Sequence, residues 1–203
     1  MKIKYLAIEG NEGTGKTLLS RAVAQKIGAF YTYEPNAEIA ELKQLRKLAL
    51  SADAKMTTYG RELILLASRS IHLDLQIKPL IALNKKVLTD RSFLSGMVYA
   101  NYHGIKFSEW LDLSLKCNID LFPEAIVYVT TDKRKIDKVE GDIYDNAGED
   151  NLKEIDMLFN RAIDFLYNHF EIPIIKFKNY FNRPIQRNAD NLLNLLNRNG
   201  ITI

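Results

Sequence analysis

The segment Tyr5–Ser20, YLAIEGNEGTGKTLLS, decides the fold of this chain because three patterns meet in it. An apolar run rich in β-forming residues is followed by a glycine-rich turn, and the turn opens a run with helical character. Gly10–Thr17 fits G-x-x-x-x-G-K-[ST] at every fixed position, which in this strand, turn and helix context is the pattern of a phosphate-binding loop. Its glycines let backbone N–H groups point at phosphate oxygens, and the following helix adds partial positive charge.

Individual residues of this loop have further chemistry. Lys16 would reach the β- and γ-phosphates, and the Thr17 hydroxyl would be a ligand of Mg²⁺. Glu12 is unexpected, because a carboxylate in a loop that binds polyanions adds negative charge beside the phosphates. A Glu12 side chain directed out of the loop, toward a second substrate, would remove this conflict. The residues expected to bind ATP are Gly10, Asn11, Glu12, Gly13, Thr14, Gly15, Lys16 and Thr17.

Apolar runs and helical patterns alternate along the whole chain. The strands are expected at Ile3–Ile8, Lys86–Asp90 and Ala125–Thr130, with two further runs at Ala29–Tyr33 and Ile172–Phe177. The helices are expected at Gly15–Ile27, Ala37–Leu50, Tyr59–Leu83, Ser92–Tyr102, Phe107–Lys116, Leu152–His169 and Pro184–Asn197. Pro79 should kink or restart the longest of them. The pattern predicts an α/β fold, a doubly wound five-stranded parallel sheet with flanking helices, whose ligands collect at the carboxyl ends of the strands.

Length and composition limit the classes of function. At 203 residues the chain fits a single domain, 1–203. Its 28 basic and 25 acidic residues give a net charge of only +3, which does not favour a nucleic-acid partner. Cys117 is the single cysteine, so an internal disulfide and a cysteine-based zinc site within one chain are excluded. No apolar stretch approaches the roughly 20 residues that span a bilayer, and the N-terminal run is too short for a signal peptide. We therefore expect a cytoplasmic protein with no membrane partner.

The segment VLTDRS, residues 87–92, places two charged side chains after another apolar strand. Asp90 ends the strand, where a carboxylate can orient the water of a bound Mg²⁺, so Thr17 and Asp90 form the expected metal site. Arg91 follows at the same sheet edge, where a guanidinium can bridge a donor and an acceptor phosphate. A surface turn would be the alternative for this pair, but it is disfavoured beside a phosphate loop.

Over nearly its whole length the chain resembles the thymidylate kinases. EGNEGTGKT (9–17) is similar to the family's E-G-x-x-G-x-G-K-T, TYEPN (32–36) to T-R-E-P-G, and ASRSIH (67–72) to A-D-R-x-x-H. IKP (77–79) matches directly, and VLTDRSFLSGMVY (87–99) is similar to V-x-x-D-R-Y-x-x-S-x-x-A-Y. The resemblance implies a P-loop kinase fold with a lid, and Mg²⁺- and ATP-dependent phosphorylation of a deoxynucleoside monophosphate, dTMP first. It also implies a homodimer formed through the long helices, although the apolar face of a core helix would have the same pattern.

The resemblance also implies roles for individual residues. Glu12 would face the 3′-hydroxyl of the acceptor sugar, Arg69 would hydrogen-bond the base, and Arg91 would clamp the phosphates. Ser95 would shape the acceptor pocket, and Tyr99 would crowd the sugar 2′ position. The expected acceptor-binding residues are Glu12, Tyr33, Glu34, Leu65, Arg69, Arg91, Ser95 and Tyr99, and the expected catalytic residues are Lys16, Arg91 and Arg134. Taken alone, Arg69 fits a cleft or a solvated helix surface, and Tyr99 fits a core as well as a pocket.

Several acceptor-site positions depart from the family pattern. Tyr33 replaces the arginine of R-E-P, Leu65 replaces a phenylalanine that stacks on thymine, and Ala100 replaces a common glutamine. EGNEGTGKT and DRSFLS also resemble the deoxynucleoside kinases, in which Glu34 would take the proton from a 5′-hydroxyl. A deoxynucleoside kinase is therefore one alternative, and a non-catalytic nucleotide-binding protein is another.

The polar stretch KVEGDIYDNAGEDN, Lys138–Asn151, is long enough to act as a lid, and we expect the lid region at 131–151. No basic residue stands between Gly10 and Lys16, so the lid should supply the cation that stabilises the transferring phosphoryl group. The candidates are Lys133, Arg134, Lys135 and Lys138. Arg134 is preferred because a guanidinium is planar and always charged, whereas the alternative is a solvated helix face. DIYD, residues 142–145, is similar to the family's D-R-x-E but lacks its arginine.

Overall fold

A computed structural model describes residues 1–117, 119–135 and 148–203. The strands are β1 (Tyr5–Glu9), β2 (Phe30–Tyr33), β3 (Val87–Asp90), β4 (Ala125–Thr130) and β5 (Ile174–Lys178). The helices are α1 (Lys16–Ile27), α2 (Ala40–Leu50), α3 (Thr58–His72), α4 (Lys78–Ala82), α5 (Phe93–Tyr102), α6 (Phe107–Lys116), α7 (Glu149–Tyr167) and α8 (Ile185–Arg198). A π-helical segment, Leu73–Ile77, joins α3 to α4. All five expected strands and all seven expected helical regions are present.

The five strands form one parallel sheet in the order β2-β3-β1-β4-β5, which confirms the α/β fold class. The register of β1 on β3 pairs Ile8 with Asp90, and the backbone N–H of Arg91 donates to the Ile8 oxygen at 2.9 Å. At the next edge, the N–H of Glu34 donates to the Asp90 oxygen at 3.0 Å. The chain segments that follow β1, β2 and β3 therefore leave the sheet side by side.

Two hydrophobic clusters cover the two faces of the sheet. Within β1, Tyr5 and Ala7 belong to the cluster that includes residues of α3, α5, α6 and α7, whereas Leu6 and Ile8 belong to the cluster with α1 and α8. Every residue of β1 is buried. This explains the nearly continuous apolar run, because a central parallel strand packs on both faces.

The long helical region is interrupted as Pro79 predicted, but the irregularity begins before the proline. Within Leu73–Ile77 the turns are π-helical, and the N–H of Lys78 donates to the Leu73 oxygen five residues earlier. Pro79 has no N–H to donate, and its ring crowds the carbonyl four residues before it. The wider π-helical turn just before Pro79 accommodates both the missing N–H and the crowded carbonyl while the chain stays helical.

Two other boundaries differ from the expectation. Helix α2 begins at Ala40 rather than Ala37, because the Asn36 side chain accepts hydrogen bonds from the N–H groups of Glu38 and Ile39 at 2.8 and 3.2 Å and holds a turn there. Helix α7 begins at Glu149, inside the expected lid region 131–151. The acidic residues of its first turn favour a helix N-terminus at this point. Lys138 and residues 142–145 of that region lie outside the described residues.

Candidate active site

A cavity of about 660 Å³ opens at the carboxyl ends of β1, β2 and β3. Its walls come from the phosphate loop, the ends of β2 and β3, and the facing sides of α3 and α5. The volume is in the range of small-molecule sites, roughly 300–1,000 Å³. The sheet register accounts for its position, since it brings together chain segments that are distant in sequence.

Glycine is required at two positions of the phosphate loop. Gly10 has φ of 151°, and a Cβ there would lie 2.6 Å from the backbone oxygen of Val129. Gly15 has φ of 75°, precedes α1, and would place a Cβ 2.6 Å from the Asn179 side chain. No side chain of the described residues caps the start of α1. Its first N–H groups are therefore available to an anion.

Lys16 is the cation of the loop. Its side chain is buried, and its Nζ donates to the Asn11 backbone oxygen at 3.3 Å. Burial lowers the pKa of Lys16 to about 8, and the positive charge of Arg91 acts in the same direction. A buried ammonium group with a lowered pKa gains stability when an anion approaches, so this environment suits a phosphate ligand.

Thr17 and Asp90 form a group that fits a divalent metal ion. The Thr17 hydroxyl donates to Asp90 Oδ2 at 2.5 Å, across the gap between the phosphate loop and β3. Asp90 Oδ1 is buried and has no hydrogen-bond partner among the described residues. In those residues there is also no group of three or more His, Cys, Asp and Glu side chains that could hold a metal. A site with so few protein ligands suits Mg²⁺, which usually keeps waters and binds substrate phosphates.

Arg91 connects the phosphate loop to α5. Its backbone is left-handed, with φ of 70°, and its Nη1 donates to the Gly10 oxygen and to Ser95 Oγ, each at 3.2 Å. Its guanidinium lies 5.3 Å from the centre of the Tyr99 ring. Burial alone would lower the pKa of Arg91, but the neighbouring Tyr99 and acidic groups raise it above its usual value. The guanidinium thus stays charged at the centre of the cavity.

Glu12 points out of the phosphate loop, as its position in the sequence predicted. Its Oε1 lies 3.9 Å from Arg91 Nη2, and its side chain lines the cavity. The backbone of the loop is stabilised at this residue, because the Glu12 N–H donates to Asn11 Oδ1 at 2.8 Å. Arg91 therefore offsets the negative charge that made Glu12 unexpected in such a loop.

A buried carboxylate, Glu9, positions the residues that follow β3. Glu9 Oε1 accepts hydrogen bonds from the N–H and the hydroxyl of Ser92, each at 2.7 Å, and Oε2 accepts one from the Ser95 hydroxyl. Burial raises the pKa of Glu9. Ser95 was expected in the acceptor pocket from its sequence position, whereas no role was expected for Glu9. In the structure, Glu9 is the group that orients Ser95.

Arg69 and Glu34 form a buried ion pair at the far end of the cavity. Arg69 Nε donates to Glu34 Oε2 at 2.5 Å, and Arg69 Nη2 donates to the Ser92 oxygen at 2.8 Å. His72 Nδ1 lies 3.4 Å from Glu34 Oε1. Burial opposes ionisation of Glu34, but the charge of Arg69 and the contact with His72 hold its pKa below the usual value. Arg69 thus lines a cleft and is not a solvated helix residue.

Gly96 and Trp110 complete the wall around Arg69. The guanidinium of Arg69 lies 5.6 Å from the centre of the Trp110 ring. A Cβ on Gly96 would lie 2.6 Å from both Arg69 Nη1 and Trp110 Cζ2, so α5 can approach this pair only because residue 96 is glycine. The expected acceptor residues Tyr33, Glu34, Leu65, Arg69, Arg91, Ser95 and Tyr99 all line the same cavity as Glu12.

Three residues expected to bind ATP phosphates or to act in catalysis use their side chains for contacts with other groups of the protein. The Asn11 side chain donates to the Leu152 oxygen and to Asp156 of α7, at 2.7 and 3.0 Å, and the Thr14 hydroxyl donates to the Asn11 oxygen. Arg134 donates to the Glu12 oxygen at 2.6 Å and forms an ion pair with Asp156.

Lys135, the next residue, lines the cavity instead. Its Nζ lies 5.3 Å from the centre of the Phe181 ring, and its backbone N–H donates to the Gly13 oxygen at 3.0 Å. The pocket also contains residues that were not expected from the sequence, namely Phe181, Trp110, Gly96 and Glu62. Only Glu62 had a sequence signal, since it precedes Leu65 and Arg69 by three and seven residues on one helix face.

This fold and site define a P-loop phosphotransferase, with a phosphate loop and the Thr17–Asp90 pair on one side of the cavity and a second pocket on the other. The chain belongs to the thymidylate kinase family, because the model of that family matches residues 8–151. Within the described residues, no helix combines the length and the apolar character needed to cross a membrane.

Relatives in bacteria show the same likeness. The chain is 28% identical over 164 residues to a thymidylate kinase of Helicobacter pylori (strain P12), covering 80% of this chain and 75% of the relative. It is 38% identical over 125 residues to a thymidylate kinase of Wolinella succinogenes, covering 61% and 60%. It is 24% identical over 204 residues to a thymidylate kinase of Mesomycoplasma hyopneumoniae (strain J), covering 95% and 93%.

Proposed function

We propose that this protein transfers the γ-phosphoryl group of ATP to dTMP, forming dTDP and ADP, with Mg²⁺ as cofactor. The observation that carries the proposal is the two-sided cavity. The phosphate loop with Lys16 forms one side, and Arg69 and Trp110 form the other. Arg91 also lines the cavity, and it donates to Gly10 of the loop and to Ser95 of α5. Membership of the thymidylate kinase family supports the same activity.

On the donor side, the N–H groups of the loop and of the first turn of α1 bind the phosphates of ATP, and Lys16 adds a positive charge. Thr17 and Asp90 would hold the metal, and the Asp90 Oδ1 oxygen is free for it because that atom has no hydrogen-bond partner among the described residues. When bound, Mg²⁺ neutralises charge on the donor phosphates and orients them. These residues position the nucleotide and take no part in covalent chemistry.

On the acceptor side, Arg69 binds the base while Glu12 and Tyr99 bind the sugar. A phosphate oxygen of dTMP forms the new bond to the γ-phosphorus, the bond from that phosphorus to the bridging oxygen breaks, and the electron pair leaves with ADP. Arg91 is placed to contact both phosphates, so it offsets their mutual repulsion and the charge that develops during transfer. No general base is needed, because the acceptor phosphate is already an anion.

A deoxynucleoside kinase would need Glu34 as a base for the 5′-hydroxyl. The Glu34 carboxylate instead makes a 2.5 Å ion pair with Arg69, and its pKa is lowered. A carboxylate with a lowered pKa accepts a proton less readily than a free one. This observation favours dTMP over thymidine as the acceptor.

We further propose that residues 131–151 act as a lid and supply a cation to the transferring group. Arg134 would have to leave Asp156 to do so, whereas Lys135 already lines the cavity. Measurement of kcat for R134Q and K135Q tests which residue supplies the cation. We expect kcat to fall at least tenfold in the variant that lacks the cation and to change little in the other.

The family resemblance also supports a homodimer and a cytoplasmic location. Tyr59 in α3 and Leu75 in the π-helical segment are large apolar side chains that are exposed in the single chain, as a dimer contact there would require. The free thiol of Cys117 suits a reducing compartment. The mass of the protein in solution, measured by light scattering, should be twice that of the 23.3 kDa chain.

The test of the activity is a coupled assay for ADP formation with ATP, Mg²⁺ and one acceptor at a time. We expect turnover with dTMP and none above the no-acceptor rate with thymidine. ADP formation with thymidine alone would assign the chain to the nucleoside kinases. ATP binding without turnover on any deoxynucleoside or its monophosphate would make it a non-catalytic nucleotide-binding protein.

A further inference from the structure

One face of α3 forms the wall of the acceptor pocket. Glu62, Leu65, Leu66 and Arg69 stand at helical spacings of three, four and seven residues, and all four line the cavity. Three of these side chains have an evident place there, since two are apolar and Arg69 pairs with Glu34. Glu62 does not, because it is a carboxylate with 1% exposure in a largely apolar wall.

The other carboxylates that line the cavity have partners in the protein. Glu12 lies 3.9 Å from Arg91, and Glu34 pairs with Arg69. Asp90 accepts from Thr17 through Oδ2, and its Oδ1, which has no partner among the described residues, belongs to the proposed metal site. For Glu62, Oε1 is buried and has no hydrogen-bond partner in the described part of the chain, and no cation of that part lies within ion-pair distance.

Among the described residues, the surroundings of Glu62 lack a well-placed hydrogen-bond donor for Oε1 of its carboxylate. The Trp110 indole N–H lies near the carboxylate without reaching normal hydrogen-bond geometry, and its effect on the pKa is outweighed by burial, which raises the pKa of Glu62 to about 7. Arg69 and Arg61 lower that pKa only through their charge. A buried carboxylate without donors costs free energy that a ligand N–H would recover. The side chain is therefore suited to accept a hydrogen bond from whatever occupies the pocket.

We infer that Glu62 determines base specificity: it accepts a hydrogen bond from a ring N–H of the acceptor base while Arg69 donates to the adjacent carbonyl oxygen. This inference rests on the proposed function, because it assigns the base of the acceptor nucleotide to this end of the cavity. Thymine and uracil present such an edge, with N3–H beside the O4 carbonyl. A carboxylate and a guanidinium on one helix face match that pair of groups.

The same arrangement disfavours cytosine. In the same pose, cytosine presents an N3 lone pair to the ionised Glu62 carboxylate and an amino group to Arg69. Two acceptors would then face each other at Glu62, and two donors at Arg69. Sites that leave buried polar groups unpaired reject the wrong ligand strongly. dCMP should accordingly bind much more weakly than dTMP or dUMP.

The test measures binding rather than turnover, by isothermal titration calorimetry at pH 8, above the pKa of Glu62, with dTMP and with its N3-methyl analogue. A hydrogen bond to a charged group contributes enough to change Kd by about 10- to 100-fold. Wild type should therefore bind the N3-methyl analogue at least tenfold more weakly than dTMP. E62L should bind dTMP at least tenfold more weakly than wild type, and its preference for dTMP over dCMP should fall by a similar factor.

Two further variants separate recognition from structure. E62Q keeps a side-chain oxygen that can accept from N3–H, so it should retain dTMP binding within about fivefold of wild type. L63Q changes the neighbouring residue of α3, whose side chain is 48% exposed, and should bind dTMP as wild type does. Melting curves of E62L and E62Q should show folded proteins, since both remove a buried carboxylate that lacks a donor.

Equal affinity of wild type for dTMP and its N3-methyl analogue would overturn the inference, and so would unchanged dTMP affinity or dCMP selectivity in E62L. A different result would refute the proposed function while leaving the role of Glu62 intact. If wild type shows the N3-methyl penalty but forms no dTDP from ATP, then Glu62 recognises the base in a protein that is not a dTMP kinase.

Discussion

Gly96→Ala should damage the acceptor pocket without affecting the phosphate loop. The added Cβ would lie 2.6 Å from Arg69 Nη1 and 2.6 Å from Trp110 Cζ2, whereas ordinary contacts begin near 3.4 Å, so a neighbour must move by about 0.8 Å. Neither neighbour moves easily. The Arg69 guanidinium is held by Glu34 and by the Ser92 oxygen, and the Trp110 ring is fully buried.

The expected cost has two parts. Overpacking of this kind lowers the free energy of unfolding by about 1–3 kcal/mol. Arg69 is the residue that we propose binds the base, so a misplacement of its guanidinium approaching 1 Å should reduce kcat/KM for dTMP by up to about 100-fold. The KM for ATP should change less than threefold, because the atoms nearest to the added Cβ belong to Arg69 and Trp110 and not to the phosphate loop.

The assay is steady-state kinetics with each substrate varied in turn, together with urea denaturation. Gly60→Ala is the matched control, since Gly60 is also helical and its added Cβ would lie 3.3 Å from the nearest atom, the Thr57 hydroxyl. This variant should keep wild-type kinetics and stability within about 1 kcal/mol. If G96A shows wild-type KM for dTMP and wild-type stability, the close approach of α5 to Arg69 and Trp110 is not required and this arrangement of the pocket is wrong.

Three further predictions concern the charged groups of the cavity. Glu12→Ala should raise the KM for dTMP about tenfold or more while ATP affinity changes less than threefold, because Glu12 lies beside Arg91 and outside the phosphate cradle; equal losses for both substrates would refute this placement. Asp90→Asn should lower kcat about 100-fold or more and shift the Mg²⁺ titration to higher concentration, with little change in the melting temperature, whereas an unchanged titration would remove Asp90 from the metal site. The pKa of Glu62 is raised in the folded state, so its contribution to stability is present below pH 4.5 and is lost as pH rises through about 7. Wild type should therefore lose up to about 3 kcal/mol relative to E62Q between pH 4.5 and 8, and parallel stability curves for the two proteins would contradict this.

The fold was predictable from the sequence because its main signals are local. The apolar run of β1 and the glycine pattern after it identify the central strand and the phosphate loop within a few residues. Asp90 and Arg91 could be placed beside that loop because the carboxyl ends of parallel strands share one edge of the sheet. Helix boundaries were less predictable where a side chain competes with the helix, as Asn36 does before α2.

The site was predictable only in part, because several of its contacts join distant residues. The packing of Trp110 against Arg69 and Gly96 depends on how α6 approaches α3 and α5, which no local pattern records. The ion pair of Arg134 with Asp156 also depends on tertiary packing, because it joins Arg134 to a residue of α7. The sequence therefore offers Arg134 as a candidate cation but does not indicate Asp156 as its partner. Glu62 had the spacing of a pocket residue, but a charge on a helix is usually solvated.

The central claim is that the acceptor is a nucleoside monophosphate and not a nucleoside. The most direct measurement is a competition in one tube, with ATP, Mg²⁺ and equal concentrations of dTMP and thymidine, followed by chromatography of the nucleotide products. We predict that dTDP accumulates in step with ADP while thymidine is not consumed. Loss of thymidine with formation of dTMP and no dTDP would contradict the account.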